Sequence, residues 1–164
     1  MQLEKSLLET TNTDYDWVFD VNVRAVFWGC KHAVERMRKT GGGTIVNTAS
    51  ALALVADPFL PVYTASKHAV LGLTRAVGVE YAADGIRCNC VCPGDMQTPM
   101  IERYWQATGK PEEARAEMEA VYPAGKIGQP SEVARAVLFL ASDEASFVNG
   151  AFIQIDGGLL SKAY

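Results

Sequence analysis

Ser50, Tyr63 and Lys67 are the residues whose types and spacing could do chemistry. Tyr63 and Lys67 stand four apart in "YTASK", so on a helix they project from one face and their ends can converge. A phenol with an ordinary pKa of about 10 is a poor proton carrier at neutral pH, and a nearby ammonium favours the phenolate. Lowering that pKa by two to three units takes roughly 3–4 kcal/mol of preference for the anion. Ser50, thirteen residues before the tyrosine, could hydrogen-bond a substrate oxygen and hold it against the phenol. That role is orientation and charge stabilisation, not nucleophilic attack. Neither His32 nor His68 has the acid partner expected of a nucleophilic triad. His68 is turned about 100° around the helix from Lys67 and reads as a solvated or interface residue. Asn22, between Val21 and Val23, is a poor helix former inside a helical stretch. It is either a solvent-facing or locally bonded amide, or a polar group reaching inward to hold a water. A lone Tyr-x-x-x-Lys pair is a weak pattern, and the added serine and loop strengthen it.

The elements that must position these residues alternate. A long helix runs from Thr13, with Asp14 and Asp16 in its first turn and Arg36, Arg38 and Lys39 before three glycines. The β-branched run Thr44–Thr48 reads as a buried strand, with Ser50 just past its carboxyl end. A second helix starts at Tyr63, with Ala69, Val70, Leu73, Ala76, Val77 and Tyr81 at three- and four-residue spacings, and is stopped by Gly85. Ile86–Cys92 is a strand broken by Pro93–Gly94, and Gln97–Tyr122 is a polar, partly helical excursion suited to a lid. Met100, Ile101, Tyr104 and Trp105 either line a pocket beneath it or anchor it. Pro130 and Ser131 open another helix with Val133, Val137, Leu138 and Ala141 inward, and Ala151–Ile155 is the last strand, ending in "DGG". Such alternation implies α/β architecture, a parallel sheet with flanking helices whose ligands gather at the carboxyl ends of the strands. Ser50, Tyr63 and Pro93–Thr98 all fall near such ends.

Composition bounds the rest. The 164 residues are 49% hydrophobic and 21% charged, enough for one globular unit with a real core. A net charge of −4 offers no basic footprint, so no nucleic acid is expected. The longest apolar stretches are too short to span a bilayer and the first residues lack a signal-peptide core, so no membrane partner and a cytoplasmic location are the default. Cys88, Cys90 and Cys92, at every second position, point to one face of a strand and read as packing residues, with no metal site expected.

The stretches "DVNVRAVF", "GGGTIVNTAS", "YTASKHAVLGLT", "GIRCNCVCPGDMQTPM" and "GQPSEVARAVLFLASDEASFVNGAFIQIDGG" together resemble the short-chain dehydrogenase/reductase family in its single-domain form. The resemblance runs from about Asp14 to Gly158 and keeps the family's motif order. It implies a Rossmann-like doubly wound sheet, NAD or NADP as cofactor, and a secondary alcohol or ketone as substrate. It implies further that Asn22, Ser50, Tyr63 and Lys67 form a catalytic tetrad. Tyr63 would exchange a proton with the substrate oxygen, Lys67 would hold the ribose hydroxyls and lower the tyrosine pKa, and Asn22 would retain a water. "PGDMQT" is similar to the family loop that grips the nicotinamide end, so Pro93, Gly94, Met96 and Thr98 carry over as cofactor contacts, beside Tyr63 and Lys67 of the Tyr–Lys motif. Gly94 would let backbone approach a ring closely. A dimer or tetramer is implied, with the Tyr–Lys helix at one interface and the last strand at another. The "GIRCNCVCPG" segment is similar to the branch of type-2 3-hydroxybutyrate and related hydroxy-acid or sugar-acid dehydrogenases.

The family's opening strand, its glycine-rich turn and its later N-N-A-G segment have no counterpart in these 164 residues. The expectation is therefore a partial sheet, with residues 1–164 forming the carboxyl-terminal part of one Rossmann-like domain. It lacks the N-terminal strands and the glycine-rich turn, holds cofactor weakly, and leaves an open edge beside Thr44–Thr48. The alternative expectation is a catalytically silent, truncated, self-associating module that keeps the tetrad residues.

Overall fold

The structure, a computed structural model, describes residues 1–163. Thr11, two residues before the expected Thr13, caps the first helix. Its hydroxyl accepts from the Asp14 amide at 3.2 Å, and the Asp14 carboxylate accepts from the Thr11 amide at 3.0 Å. Lys5 adds an ion pair to Asp14 at 2.7 Å, tying the first residues to the cap. Helix α1 (Asn12–Phe19) passes through a π turn (Asp20–Arg24) into α2 (Ala25–Thr40), which ends at Gly41 in the left-handed conformation.

Three parallel strands, β1 (Gly43–Thr48), β2 (Ile86–Pro93) and β3 (Phe152–Ile155), pair in chain order. The register sets Thr48 beside Val91 and Pro93 beside Ile155. At the other end of the β1–β2 pair, Gly42 has φ 113°, and a Cβ there would lie 2.5 Å from the Gly85 carbonyl oxygen. Only glycine lets the two chains close that gap. The central strand β2 is buried on both faces, with Ile86 and the run Cys88–Cys92 out of contact with solvent. Asn89 is tolerated there because its side chain donates to the Val148 carbonyl at 2.8 Å and accepts from the Ala151 amide at 3.0 Å. All four cysteines are unpaired and buried.

Helix α3 (Pro61–Glu80) makes the crossover from β1 to β2. Its buried spine is Val62, Ser66, Val70, Thr74 and Gly78, a run of i+4 steps that includes polar residues the hydrophobic pattern passes over. Thr74 satisfies its hydroxyl on the Val70 carbonyl at 2.8 Å and accepts from Asn47 at 3.0 Å. Helices α4 (Pro99–Ala107), α5 (Pro111–Ala120) and α6 (Pro130–Ala141) lie in the second crossover. In α6 the expectation of an inward Leu138 and Ala141 is corrected: Leu138 is 71% exposed, Ala141 is exposed, and Leu140 is fully buried. At about 100° per residue, the step from Val137 to Leu140 keeps one face, and Leu138 leaves it. Helices α4 and α5 form their own small core, Trp105 and Tyr122 with Ile127, Ile101 and Met118. Trp105 and Ile101 therefore anchor the excursion, while Met100 and Tyr104 are exposed.

Candidate active site

Ser50 leaves the carboxyl end of β1 in an extended conformation, and its hydroxyl accepts from the Leu52 amide at 3.2 Å to start the short turn Ala51–Ala53. It is 7% exposed. The preceding residue extends the sheet, the Ala49 amide donating to the Val91 carbonyl at 2.8 Å. The chain then loops outward through Phe59, a non-glycine residue at φ 62°, before Pro61 starts α3 and presents Tyr63 in its first turn. Lys67 follows one turn later and donates to the Thr48 carbonyl at 3.2 Å, across the end of β1.

Burial sets the electrostatics. It raises the Tyr63 phenol above its ordinary pKa; the Ser50 hydroxyl pulls the other way and the charge of Asp95 reinforces the rise. Burial likewise lowers the Lys67 ammonium. The sequence leads one to expect a phenol made acidic by its lysine, and the structure differs. Lys67 Nζ is drawn to the Thr48 carbonyl and sits 5.6 Å from the Tyr63 ring centroid, so desolvation of the hydroxyl dominates. Lys67 has one hydrogen-bond partner among the described residues, which leaves ammonium protons free for further acceptors. Such a half-buried donor fits the hydroxyls of a ribose.

Asn22 sits in the middle of the π turn, 5% exposed. Its Nδ2 donates to the Ser66 hydroxyl at 3.0 Å and to the Met1 carbonyl at 2.7 Å, and its Oδ1 accepts from the Met1 nitrogen at 2.9 Å. The Ser66 hydroxyl in turn donates to the Tyr63 carbonyl at 2.7 Å. Asn22 thus connects α1–α2 to the backbone of the very residue that carries the phenol. The widened turn explains why an asparagine is accommodated inside a helix, since π turns swing side chains off the regular helical face.

The segment Pro93–Thr98 is fixed from both sides. The Gly94 amide donates to the Ile155 carbonyl at 3.0 Å, Gln97 donates to Gly128 at 2.8 Å, and Gly128 donates to Asp95 at 2.9 Å. Met96 lies against Gly128, where a Cβ would meet its sulfur at 2.5 Å. Thr98 occupies the N-cap position of α4 without a side-chain cap bond. A Cβ on Gly94 would meet the Tyr122 hydroxyl at 2.9 Å and the Asp156 Cα at 3.3 Å, so the ring that Gly94 admits here is that of Tyr122. Sequence reasoning missed Asp95 and Tyr122: Asp95 N donates to the Tyr122 hydroxyl at 2.7 Å, and that hydroxyl donates to Asp95 Oδ2 at 2.9 Å. Twenty-seven residues separate them, and no local spacing announces the pair. His68 is exposed, with Nδ1 3.0 Å from the Thr64 carbonyl.

Ser50 and Pro93–Thr98 thus follow the carboxyl ends of β1 and β2, Lys67 donates across the end of β1 with its Nζ 5.6 Å from the Tyr63 ring centroid, and Asn22 reaches the Tyr63 backbone through Ser66. Among the described residues there is no group of three His, Cys, Asp or Glu placed to hold a metal ion, and no helix long and apolar enough to cross a membrane.

Comparison with known proteins gives the same neighbourhood. The family model described as enoyl-(acyl carrier protein) reductase matches residues 1–160. A cyclohexanol dehydrogenase of an Acinetobacter species is 46% identical over 145 residues, covering 88% of this chain and 54% of that protein. The ligand-free aldohexose dehydrogenase of Thermoplasma acidophilum superposes with a TM-score of 0.94 at 33% identity, covering 99% of this chain and 66% of that one. ElxO with NADP bound superposes with a TM-score of 0.90 at 32% identity, covering 98% and 63%. The chain spans 60% of the length of several of the curated relatives it matches.

Proposed function

The chain belongs to the short-chain dehydrogenase/reductase family, and from that membership we propose that it acts in NAD- or NADP-dependent interconversion of a secondary alcohol and a ketone. The nicotinamide cofactor, when bound, supplies the hydride acceptor or donor. The chain's own part is proton handling and orientation. Tyr63 takes the proton from the alcohol oxygen, or returns it to the ketone oxygen, from its place in the first turn of α3. Ser50 donates a hydrogen bond to that same oxygen and steadies the charge it carries. Lys67 turns its free ammonium protons to the ribose hydroxyls, and its charge favours the phenolate once drawn toward it. Asn22 holds the helix backbone behind Tyr63 through Ser66; its amide protons go to Ser66 and Met1, not to the water the family resemblance implies. Pro93, Gly94, Met96 and Thr98 form the wall against the nicotinamide end.

The observation that supports this reading is Lys67, which donates to the Thr48 carbonyl at the end of β1, two residues before Ser50, with its Nζ 5.6 Å from the Tyr63 ring centroid. Unpaired, buried cysteines fit the reducing, cytoplasmic setting we assign to it. A small neutral alcohol such as cyclohexanol is a suitable first substrate, since one relative is named for it. Reduced-nicotinamide absorbance, followed with NAD and with NADP, tests the proposal. Turnover by the protein and its near-complete loss in Tyr63→Phe, with cofactor affinity within about twofold, is the expected result. Near-normal turnover in that variant, or no cofactor binding at millimolar concentration, would overturn it.

A second copy of the chain is also proposed as a partner, in a dimer or tetramer. Phe27 and Trp28 on α2, Val79 on α3, and Leu138 and Phe147 near β3 are large apolar groups 46–102% exposed, which a symmetry mate would cover.

A further inference from the structure

Asp95 is the acidic residue of the loop that follows β2, two positions past Pro93. Its backbone is held at both ends, the amide by the Tyr122 hydroxyl at 2.7 Å and the carbonyl by the Gly128 amide at 2.9 Å. Its Oδ2 accepts from that same hydroxyl at 2.9 Å. Tyr122 is itself 4% exposed and packed with Trp105 and Ile127, so it cannot follow a moving carboxylate. The side chain is thereby pinned, and its Oδ1 accepts no hydrogen bond from any described residue. The strand register sets Thr48 beside Val91 and the Ala49 amide donates to the Val91 carbonyl at 2.8 Å, so Ser50 and this loop leave the same end of the sheet. The negative charge is felt at the Tyr63 phenol. Burial makes the carboxyl harder to ionise than usual, and the Tyr122 hydroxyl opposes that by stabilising the anion.

A pinned carboxylate with one free oxygen, in the loop that leaves the same end of the sheet as Ser50, has definite chemistry. When ionised it accepts hydrogen bonds and donates none, and it repels a second anion more strongly in a half-buried site than in water. We propose that Asp95 is a specificity-determining residue that favours a neutral alcohol with a second hydroxyl, which donates to the free oxygen, over an anionic hydroxy acid of the same skeleton. The inference rests on the oxidoreductase reading above. It runs against the hydroxy-acid branch that the "GIRCNCVCPG" segment resembles.

The test compares kcat/KM for trans-cyclohexane-1,2-diol and for 2-hydroxycyclohexanecarboxylate, each referred to cyclohexanol, in the full protein with its cofactor. The wild-type protein should prefer the diol. Asp95→Asn should raise the relative rate on the hydroxy acid by about tenfold, because the charge is gone, and Asp95→Ala should also lower the relative rate on the diol by about tenfold, because the acceptor is gone. Relative rates within about twofold of wild type in both variants, or a wild-type preference for the hydroxy acid, would sink the inference while leaving the oxidoreductase reading intact. Should the Asp95 variants fail to fold, Tyr122→Phe keeps the ring beside Gly94 and frees the carboxylate. It should cut the diol preference by at least about threefold, and an unchanged preference counts against the proposal. Absence of turnover on all three alcohols in the wild-type protein would instead overturn the underlying activity, and the selectivity with it.

Discussion

In the proposed mechanism Lys67 does two things with one ammonium, and its substitution separates them from the work of Tyr63. Lys67→Met should weaken cofactor binding as well as slow turnover, by about tenfold or more each, measured by nicotinamide fluorescence titration and steady-state rates. An effect on rate with unchanged cofactor affinity would remove the ribose contact from its role. At this scale the sequence was informative wherever residue type and spacing act locally: Tyr63 and Lys67 share a helix face, and Ser50 stands just beyond a strand. It was uninformative where burial decides. The sign of the phenol's shift depends on how deeply Tyr63 is covered and on where Lys67 Nζ turns, and neither is written in a four-residue interval. Asp95 shows the same limit, since one aspartate in a loop acquires meaning only when Tyr122 arrives from another element.

Two elements invite direct tests. Asp14 joins the cap of α1 to Lys5, and these contacts hold its carboxyl at a pKa of about 2, below the ordinary value near 4. A depressed carboxylate pKa contributes stability that is complete above the unfolded value and lost as pH falls through the folded one. The stability gap between the wild-type protein and Asp14→Asn should therefore be level above pH ~5 and close as pH approaches ~2, read from urea midpoints. A gap independent of pH would rule out the ion pair as its source. The loop after β2 is the second case. Gly94→Ala should lower stability by about 1–3 kcal/mol, because the new methyl meets Tyr122 and Asp156 where neither has room to retreat. Thermal unfolding measures it, and a melting temperature equal to wild type would show that Tyr122 can move. Elements with strong periodicity or clear punctuation were legible, including all three strands and the helical character of the excursion after β2. The inward face of α6 was misjudged at Leu138 because Val137, Leu138, Phe139 and Leu140 are all apolar, leaving pattern alone no contrast to choose with. The π turn left no hydrophobic signature beyond an asparagine where none was expected.

For the molecule as a whole, the exposed apolar groups on α2 and near β3 predict association. Sedimentation should give a mass at least twice that of one chain, and Phe147→Asp, at the most exposed of these positions, should shift the population toward smaller species. A single-chain mass at every concentration would dismiss the assembly. The three-stranded parallel sheet was legible from the alternation of strands and helices. The arrangement of surface patches was not, because it depends on which helices end up adjacent. The turn at Asp20–Arg24 carries a last implication. It works as a joint between two rods, letting α1 settle against α3 while α2 lies along the sheet, without either being bent. Removing or adding one residue at that joint would twist one rod by about 100° against the other and dislodge the asparagine between them. Length is therefore as constrained there as chemistry, and homologous chains should tolerate exchanges of side chain at this point far more readily than insertions or deletions.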